Sequence, residues 1–519
     1  MFCSHKRSRG GEGRSMAAAQ LKTDREQGVF SRVDDDILQN ILGRLPGVAF
    51  ASAACVNTTW NKNCSHMLSR PKFASALSLN SDLHNAIDEV LVEIFSKPIR
   101  PDFVVAYIGT NFSLEETHQL ITEKIGSGIS IITNRAMGLI GTDVETHNLR
   151  EACLVVSVGF VPGLKVEIFP LPSPRHQLHD MEVFDTQAPH LLMMEHFVRD
   201  ILSYSGPLPP SCMMMFGDKH FDMNLVVAAL DAIMPDKTAI IGDASASFMY
   251  TRRNETGNYS SDLFYIAGAA LVFVKDQHKP DYMGEIEFHV TLSPGLMPFG
   301  PQIKTISSYE TPTHSSWISA VMSEFEGVFI DSHTILRELR SQLGMSDIYA
   351  GVTKRRQYHN GAGPPVSMTT LNFHEVRGGY GDYILVDGVG IQPDDVFFFY
   401  HSDAATAMNT VDYASDNLQT LVHNDSDIQR EVFGGFIFSS NKRDISLFNR
   451  CNVDCKSFAD NFPGVPVAGM FGNGEIACGA LLGEEENQEL GHPRCCVHAC
   501  SSVYLAMTYV PPQAPYYLE

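Results

Sequence analysis

Apolar residues recur every three or four positions between residues 33 and 45, which places their side chains on one face of a helix. The members of this stripe are Val33, Ile37, Leu38, Ile41, Leu42 and Leu45. Three aspartates at 34–36 occupy the first turn, where carboxylates interact favourably with the helix dipole. Pro46 and Gly47 then end the segment. The pattern predicts a short amphipathic helix.

A second run, 48–60, is small and apolar and closes on Val56 and Trp60. The two runs together hold about 28 residues, too few to bury two apolar stripes against each other. We therefore expect the segment to pack on a partner surface. The alternative is an ordinary helical hairpin that packs on the protein's own body.

Beyond residue 76 the pattern alternates between short apolar runs and amphipathic periods. The predicted helices are 83–94, 114–125, 191–202, 225–233, 334–343 and 404–422. The predicted strands are 102–109, 130–133, 152–161, 164–169, 213–216, 238–241, 264–274, 286–292, 383–386 and 396–400. We expect a mixed α/β (α+β) fold in which a small helical segment precedes a larger α/β body.

Two segments of this body repeat one order of elements. Residues 212–245 and 433–475 each read as a strand, a polar loop, a helix, a proline, a small apolar strand and a glycine-rich turn. This order predicts two related α/β halves, and chance remains the alternative because few residue identities are shared.

Composition limits the possible functions. A chain of 519 residues with 44% hydrophobic and 19% charged residues is globular and long enough for two or three domains. Its formal charge of −22 disfavours nucleic acid as a partner. The longest apolar run, 264–274, suits a buried strand and is too short to span a membrane. The 11 cysteines and the absence of a secretory pattern predict reduced thiols and a location in the cytoplasm or nucleus.

The segment 29–75 resembles an F-box, a motif that docks onto Skp-type adaptors. The match runs without a gap from Val33 to Trp60. By resemblance the adaptor-binding residues are Val33, Asp34, Ile37, Leu38, Ile41, Leu42, Leu45, Pro46, Val56 and Trp60. Asp34, Asn57 and Thr58 depart from the usual pattern. The resemblance implies that the adaptor bridges to a cullin scaffold and its RING subunit.

The remainder resembles the FIST sensor module. The resemblance rests on GLMPFGPQIKTI, on AIIGDASASFMYTRRN with FYIAGAALVFV, and on FPGVPVAGMFGNGEIACG. It implies an N-terminal FIST domain at 102–305 and a C-terminal one at 306–510. The charged start of the chain predicts a disordered tail at 1–28, the amphipathic pattern predicts a helical linker at 76–101, and the residues 511–519 are left as a tail. FIST modules have been proposed to bind small ligands such as amino acids. No 20- to 29-residue leucine period is visible, so a leucine-rich horseshoe is not expected.

The turns that close the two repeated segments are the candidate ligand site. Turns at strand ends line crevices in α/β proteins, so we expect them at the mouth of a cleft. The residues are Gly242, Asp243, Gly472, Asn473, Gly474 and Glu475. Glu475 could bind a ligand amine or accept hydrogen bonds from free backbone amides.

No catalytic set, metal site or cofactor is expected. His498 lies among Cys495, Cys496 and Cys500, but their spacing does not match paired zinc ligands, and the segment reads better as a strand. The sequence therefore predicts a non-catalytic substrate receptor of a Skp–cullin–F-box ubiquitin ligase that recruits target proteins for proteasomal degradation. An intracellular sensor of small amino-acid-like ligands is the alternative.

Overall fold

The computed structural model describes most of the chain. The described residues are 35–45, 47–126, 128–142, 144–146, 153–172, 188–218, 221–253, 266–280, 283–312, 314–322, 331–344, 346–358, 366–423, 430–478 and 494–512. The chain divides into two compact units, one formed by the residues up to Ser69 with 96–98 and the other by 70–95 and the residues from 99 onward. The tail predicted at 1–28 lies outside the described residues, as does most of the one at 511–519.

The described part of the smaller unit contains three helices: α1 (Asp35–Leu42), α2 (Gly47–Ala54) and α3 (Thr58–Met67). Their shared core consists of Leu38, Leu42, Phe50, Ala53 and Cys64. The predicted first helix is α1. The second run divides because the Asn57 side chain accepts a 2.8 Å hydrogen bond from the Trp60 backbone N–H and starts α3.

A buried amide joins two of these helices. The Asn63 side chain in α3 donates to the Asp35 carboxylate at 2.8 Å and accepts from the Gln39 amide at 2.9 Å. Both partners belong to α1. These bonds orient α1 about its own axis, which determines the side chains that face inward.

The larger unit contains the remaining elements. Its helices are α4 (Leu83–Ile94), α5 (Leu114–Ile125), α6 (Ala188–Ser205), α7 (Asn224–Ile233), α8 (Ser332–Leu343), α9 (Ala404–His423), α10 (Ile445–Phe448) and α11 (Val453–Asn461). Its strands are β1 (Lys72–Ser78), β2 (Phe103–Ile108), β3 (Ser130–Arg135), β4 (Gly138–Ile140), β5 (Glu145–Thr146), β6 (Leu154–Phe160), β7 (Leu164–Pro172), β8 (Cys212–Asp218), β9 (Ala239–Thr251), β10 (Ile266–Lys275), β11 (Glu285–Ser293), β12 (Leu296–Glu310), β13 (Ser315–Met322), β14 (Ile348–Tyr358), β15 (Val366–Tyr380), β16 (Tyr383–Asp387), β17 (Val396–Ser402), β18 (Glu431–Ser440), β19 (Val467–Gly472), β20 (Glu475–Cys478), β21 (Cys495–His498) and β22 (Ser502–Val510).

The strands form two mixed sheets and a barrel. The first sheet has the order β1-β6-β2-β3-β9-β8-β10-β7, with β20 attached to β9 and β21 to β20. The second has the order β11-β22-β18-β19-β4-β5. The third set closes on itself as β12-β13-β16-β15-β14-β17.

The two sheets pack face to face around one core, in which Phe73 of β1 meets Phe436 of β18 edge to face at 5.1 Å. Helices α4 to α7 cover the outer face of the first sheet, and α9 and α11 cover the outer face of the second. The result is a four-layer α/β/β/α arrangement with a barrel inserted between β11 and α9. The predicted mixed α/β fold class is confirmed.

The two repeated segments do share one order of elements. In the first, β8 and β9 pair in parallel on either side of α7. In the second, β18 and β19 pair in parallel with α10 and α11 between them. A buried ion pair stabilises the second repeated segment. Arg443 Nη2 lies 2.8 Å from Asp454 Oδ1, and the Ser439 hydroxyl donates a 2.6 Å hydrogen bond to the same carboxylate.

The predicted domain boundaries differ from the observed packing at two places. The helix expected in the linker forms as α4, but it packs on β1 and β6 through Ala86, Ile87 and Val90, so this part of the linker belongs to the first sheet. The boundary at 305/306 falls inside β12. Strands also cross between the halves, because β4 joins the second sheet and β20 joins the first.

Candidate functional site

The predicted adaptor-binding set divides into an exposed part and a buried part. In the smaller unit Ile37, Ile41 and Val56 are 56%, 43% and 60% exposed. Leu38 and Leu42 are fully buried in the core of the unit. One helix therefore carries apolar residues on two faces, and the exposed one is available to a partner.

The other predicted members have different positions. Leu45 and Trp60 are half-buried and pack against the core of the unit. Val33, Asp34 and Pro46 lie outside the described residues. We call Ile37, Ile41 and Val56 the exposed stripe. Ile37 and Ile41 are one helical turn apart, so a single apolar groove can take both side chains.

Burying the exposed stripe on a partner would be favourable. Transfer of an aliphatic side chain of this size from water to an apolar surface contributes about 1.5–3 kcal/mol when it is fully buried. The stripe does not stabilise its own unit, because the core beneath it is already formed by other side chains.

A second candidate site is the pair of carboxyl groups on β9 and β20. The two strands are antiparallel, with Glu475 opposite Asp243 and Ile476 opposite Gly242. Both carboxyl side chains are buried. The structure thus brings together the two turns that the sequence predicted to share a site, although they are separated by more than 200 residues.

Backbone amides surround the two carboxyl groups. The Ser245 N–H donates to Asp243 Oδ2 at 3.1 Å. The N–H groups of Gly474 and Ser501 donate to Glu475 at 3.2 and 3.3 Å. The pair is therefore solvated by protein dipoles instead of water.

Burial dominates the ionisation of both groups. It raises the pKa of Asp243 to about 7, although hydrogen bonds from the Ser245 and Asn473 backbones act in the opposite direction. Burial likewise raises the pKa of Glu475 to about 8, and the nearby charge of Asp243 adds to that rise. Two opposed buried carboxyls resist carrying two charges at once, so both pKa values lie near or above neutral pH.

Two glycines allow this arrangement. A Cβ on Gly242, whose φ is +149°, would lie 1.9 Å from the Met215 carbonyl oxygen. A Cβ on Gly472 would lie 2.2 Å from Asp243 Oδ1. Any larger residue at either position would displace β9 or the carboxyl group.

Sequence reasoning missed two polar neighbours in the core between the sheets. Tyr107 of β2 and Asn134 of β3 stand opposite each other in register. Within the described part of the chain, the Tyr107 hydroxyl and Asn134 Oδ1 are buried without a hydrogen-bond partner. Burial raises the pKa of Tyr107, and the charge of Asp243 raises it further. Both residues lie in apolar strand patterns, which predict core positions rather than a site.

The positions of these residues correct the expectation that both turns lie at the mouth of a cleft. Gly242, Asp243, Gly472 and Glu475 are buried, and of the predicted set Asn473 is exposed and Gly474 half-buried. The reason is β20, which adds to the edge of β9 and turns a strand end into sheet interior. The residues meet as predicted, but inside the body.

The expectation of reduced thiols also needs correction. Cys478 of β20 and Cys495 of β21 are opposed in register and joined by a disulfide. Cys496 and His498 are buried in β21, and burial lowers the pKa of His498 to about 4, so it is neutral. Across the described ranges, no group of three or more His, Cys, Asp or Glu residues could hold a metal ion.

A relative places these features in a family. The chain is 33% identical over 532 residues to an F-box/LRR-repeat protein of Arabidopsis thaliana, covering 96% of this chain and 97% of that protein. No protein-family model matches the chain. Among solved structures, one titled "Structure of PurLQS from Thermotoga maritima" aligns at 9% identity with a TM-score of 0.18 over 92% of this chain and 82% of the other, too weak a likeness to support an argument.

The likeness to the Arabidopsis thaliana relative extends over both the small helical unit and the α/β body. The chain belongs to the F-box protein family. The described strands form mixed sheets and a closed barrel, not the one-strand-per-repeat sheet of a leucine-rich horseshoe. None of the described helices is long and apolar enough to cross a membrane.

Proposed function

We propose that this protein is the substrate-recognition subunit of a Skp–cullin–F-box ubiquitin ligase. The observation that supports it most is the exposed stripe, which lies in the segment that resembles an F-box. The stripe docks on a Skp-type adaptor, and the adaptor connects to a cullin and its RING subunit. The protein itself is non-catalytic.

The larger unit holds the target protein. A ligase of this kind accelerates transfer by raising the effective concentration of a target lysine near the ubiquitin thioester. The receptor needs a dock and a recognition surface for this task, and it needs no reactive side chain. The target is then ubiquitinated and degraded by the proteasome.

Co-purification with a Skp-type adaptor and a cullin tests the dock. The variant is Ile37→Asp with Ile41→Asp, because burying an unpaired carboxylate against an apolar partner costs several kcal/mol. The unmutated chain should retain both partners, and the double variant should lose both. Val92→Asp on α4 is the matched control, since Val92 is also an exposed aliphatic residue of a helix.

Circular dichroism of the double variant should match that of the unmutated chain, because both substituted positions face solvent. Retention of adaptor and cullin by a folded double variant would contradict the proposal.

Sensing of a small amino-acid-like ligand by FIST domains is the second candidate function. It is favoured by the buried pair of Asp243 and Glu475, since a ligand ammonium group would stabilise both carboxylates in their charged forms. A ligand that binds there should raise the melting temperature of the unmutated chain. Glu475→Gln should lose that rise, and an equal rise in both would exclude this site.

A further inference from the structure

The barrel carries a group of aromatic side chains on its outer surface. Tyr309 of β12, Tyr380 of β15 and Tyr383 of β16 are 66%, 82% and 45% exposed, and Trp317 of β13 is half-buried. Trp317 is one of two tryptophans in the chain. We call these four residues the aromatic face.

Strand register shows that the four share one side of the barrel. Trp317 is directly opposite Tyr309, and Tyr380 is directly opposite Tyr383. Ile318 and Ile384, the neighbours of Trp317 and Tyr383, are paired with each other and buried in the barrel core. Side chains alternate along a strand, so the aromatic residues point outward. Directly opposed residues have Cβ atoms about 5 Å apart, which makes each pair contiguous.

The closed barrel limits how a partner can bind there. Each of its described strands pairs with two others, although residues 306–310 of β12 and 376–380 of β15 pair on one side only. The outward side chains are therefore the main recognition surface of this face. Rigid Tyr and Trp rings with few rotatable bonds are the residues that dominate such contacts.

The charge around the aromatic face selects the partner. Strands β12, β13, β15 and β16 with their hairpin turns contain four carboxylates, Glu310, Glu375, Asp382 and Asp387, against two cations, Lys304 and Arg377. Lys304 pairs with Asp394 at 2.7 Å, and Arg377 pairs with Glu375 and Asp387 at 2.9 and 2.6 Å. Lys442 also lies 3.4 Å from Glu375, so Asp382 and Glu310 are the carboxylates of this set without a cation partner among the described residues. Asp382 is exposed in the turn between Tyr380 and Tyr383.

We infer that the aromatic face binds a Lys- or Arg-containing segment of a target protein. Cationic side chains stack on the rings, which attract them through their quadrupoles, and Asp382 adds a charge partner. The inference rests on the proposed function, because it supplies the surface by which a ligase receptor would hold its target.

Fluorescence polarisation with a short labelled peptide of alternating Arg and Gly tests this binding. Measurement at about 0.15 M salt screens the general attraction of an acidic protein. Replacing two rings in Tyr380→Leu with Tyr383→Leu keeps the apolar area and removes the cation–π contacts. We expect this pair to weaken binding about tenfold.

The pair Tyr380→Phe with Tyr383→Phe retains the rings and should bind within about threefold of the unmutated chain. Tyr413→Leu, at an exposed tyrosine of α9, is the control for loss of a surface ring elsewhere and should bind like the unmutated chain. Equal peptide affinity in the Leu pair and the unmutated chain would overturn the inference, because net charge alone would then explain the binding.

Two further readouts separate the alternatives. A dimer of the unmutated chain in light scattering that the Leu pair abolishes would also overturn the inference, since a second copy would occupy the face. Adaptor co-purification should be unchanged in the Leu pair. Loss of peptide binding together with retained adaptor therefore supports the inference, whereas an unmutated chain that binds the peptide but no adaptor counts against the proposed function alone.

Discussion

The smaller unit places aliphatic side chains on its surface, whereas the larger unit places carboxyl groups in its interior. Ile37 and Ile41 are exposed although their neighbours Leu38 and Leu42 are buried. Asp243 and Glu475 are buried although most acidic residues of globular proteins lie in water. Each arrangement costs free energy that the rest of its unit must offset. The first leaves apolar surface in the segment that resembles an F-box, and the second gives two carboxyl groups with raised pKa values.

Replacing the buried Asp454 is expected to change the free energy of unfolding most. Asp454 is paired with Arg443, whose charge and hydrogen bonds hold the pKa of Asp454 below its usual value against the opposing effect of burial. Removing one partner leaves the other charge unpaired, so Asp454→Ala should lower the free energy of unfolding by about 3–5 kcal/mol. Urea denaturation at pH 7 measures this change.

Asp243→Asn is the matched comparison. Asp243 lies opposite a second carboxyl instead of a cation, so its replacement should lower stability far less than Asp454→Ala does. Equal losses of unfolding free energy in the two variants would contradict the view that the charge of Asp454 is stabilised by a cation and that of Asp243 is not.

The two faces of α1 should also differ in stability. Leu42→Ala removes a fully buried side chain and should cost about 2–5 kcal/mol of unfolding free energy in the smaller unit. Ile41→Ala, one residue away, should change it by no more than about 0.5 kcal/mol. Thermal denaturation of each variant measures the difference, and similar losses would show that the stripe belongs to the core.

A weaker effect is expected from pH. Asp243 and Glu475 have pKa values near 7 and 8 in the folded chain, above the values of about 4 in the unfolded chain. The folded state therefore binds more protons between those limits. The contribution of the pair to stability is complete below about pH 4 and is lost as pH rises through 7 to 8.

Asp243→Asn with Glu475→Gln should flatten this decline, because neither amide titrates. The measurement is the free energy of unfolding from pH 5 to 9 in the unmutated chain and the double variant. If unfolding free energy declined with pH equally in the unmutated chain and the double variant, the raised pKa values of Asp243 and Glu475 would be contradicted.

The sequence predicted those helices and strands that are determined by residues within or next to them. Helix α5 begins after Ser113, whose side chain caps it, and ends before Gly126, as the sequence indicates. Of the barrel, the sequence predicted β16 and β17 but not β12, which contains Pro298, Gly300 and Pro301, residues that are uncommon inside strands. Pairing of β20 with β9 joins residues more than 200 positions apart, and no local pattern encodes such a contact.

The candidate sites show the same limit. The stripe of α1 was found from its spacing, but spacing alone did not separate the exposed Ile37 from the buried Leu38, because a short helix with adjacent apolar residues has two apolar faces. The turns at 242–243 and 472–475 were predicted to meet from the repeated order of elements. Their burial was not predicted, since it depends on the strand added beside them.

Calorimetric titration with a purified Skp-type adaptor measures whether the exposed stripe is the docking surface. Val56 is the member of the stripe that lies outside α1. Val56→Asp therefore tests whether Val56 contributes to adaptor binding together with Ile37 and Ile41. We expect tight binding to the unmutated chain and to Val92→Asp, with at least about 30-fold weaker binding to Val56→Asp. Equal affinity for all three proteins would contradict this expectation.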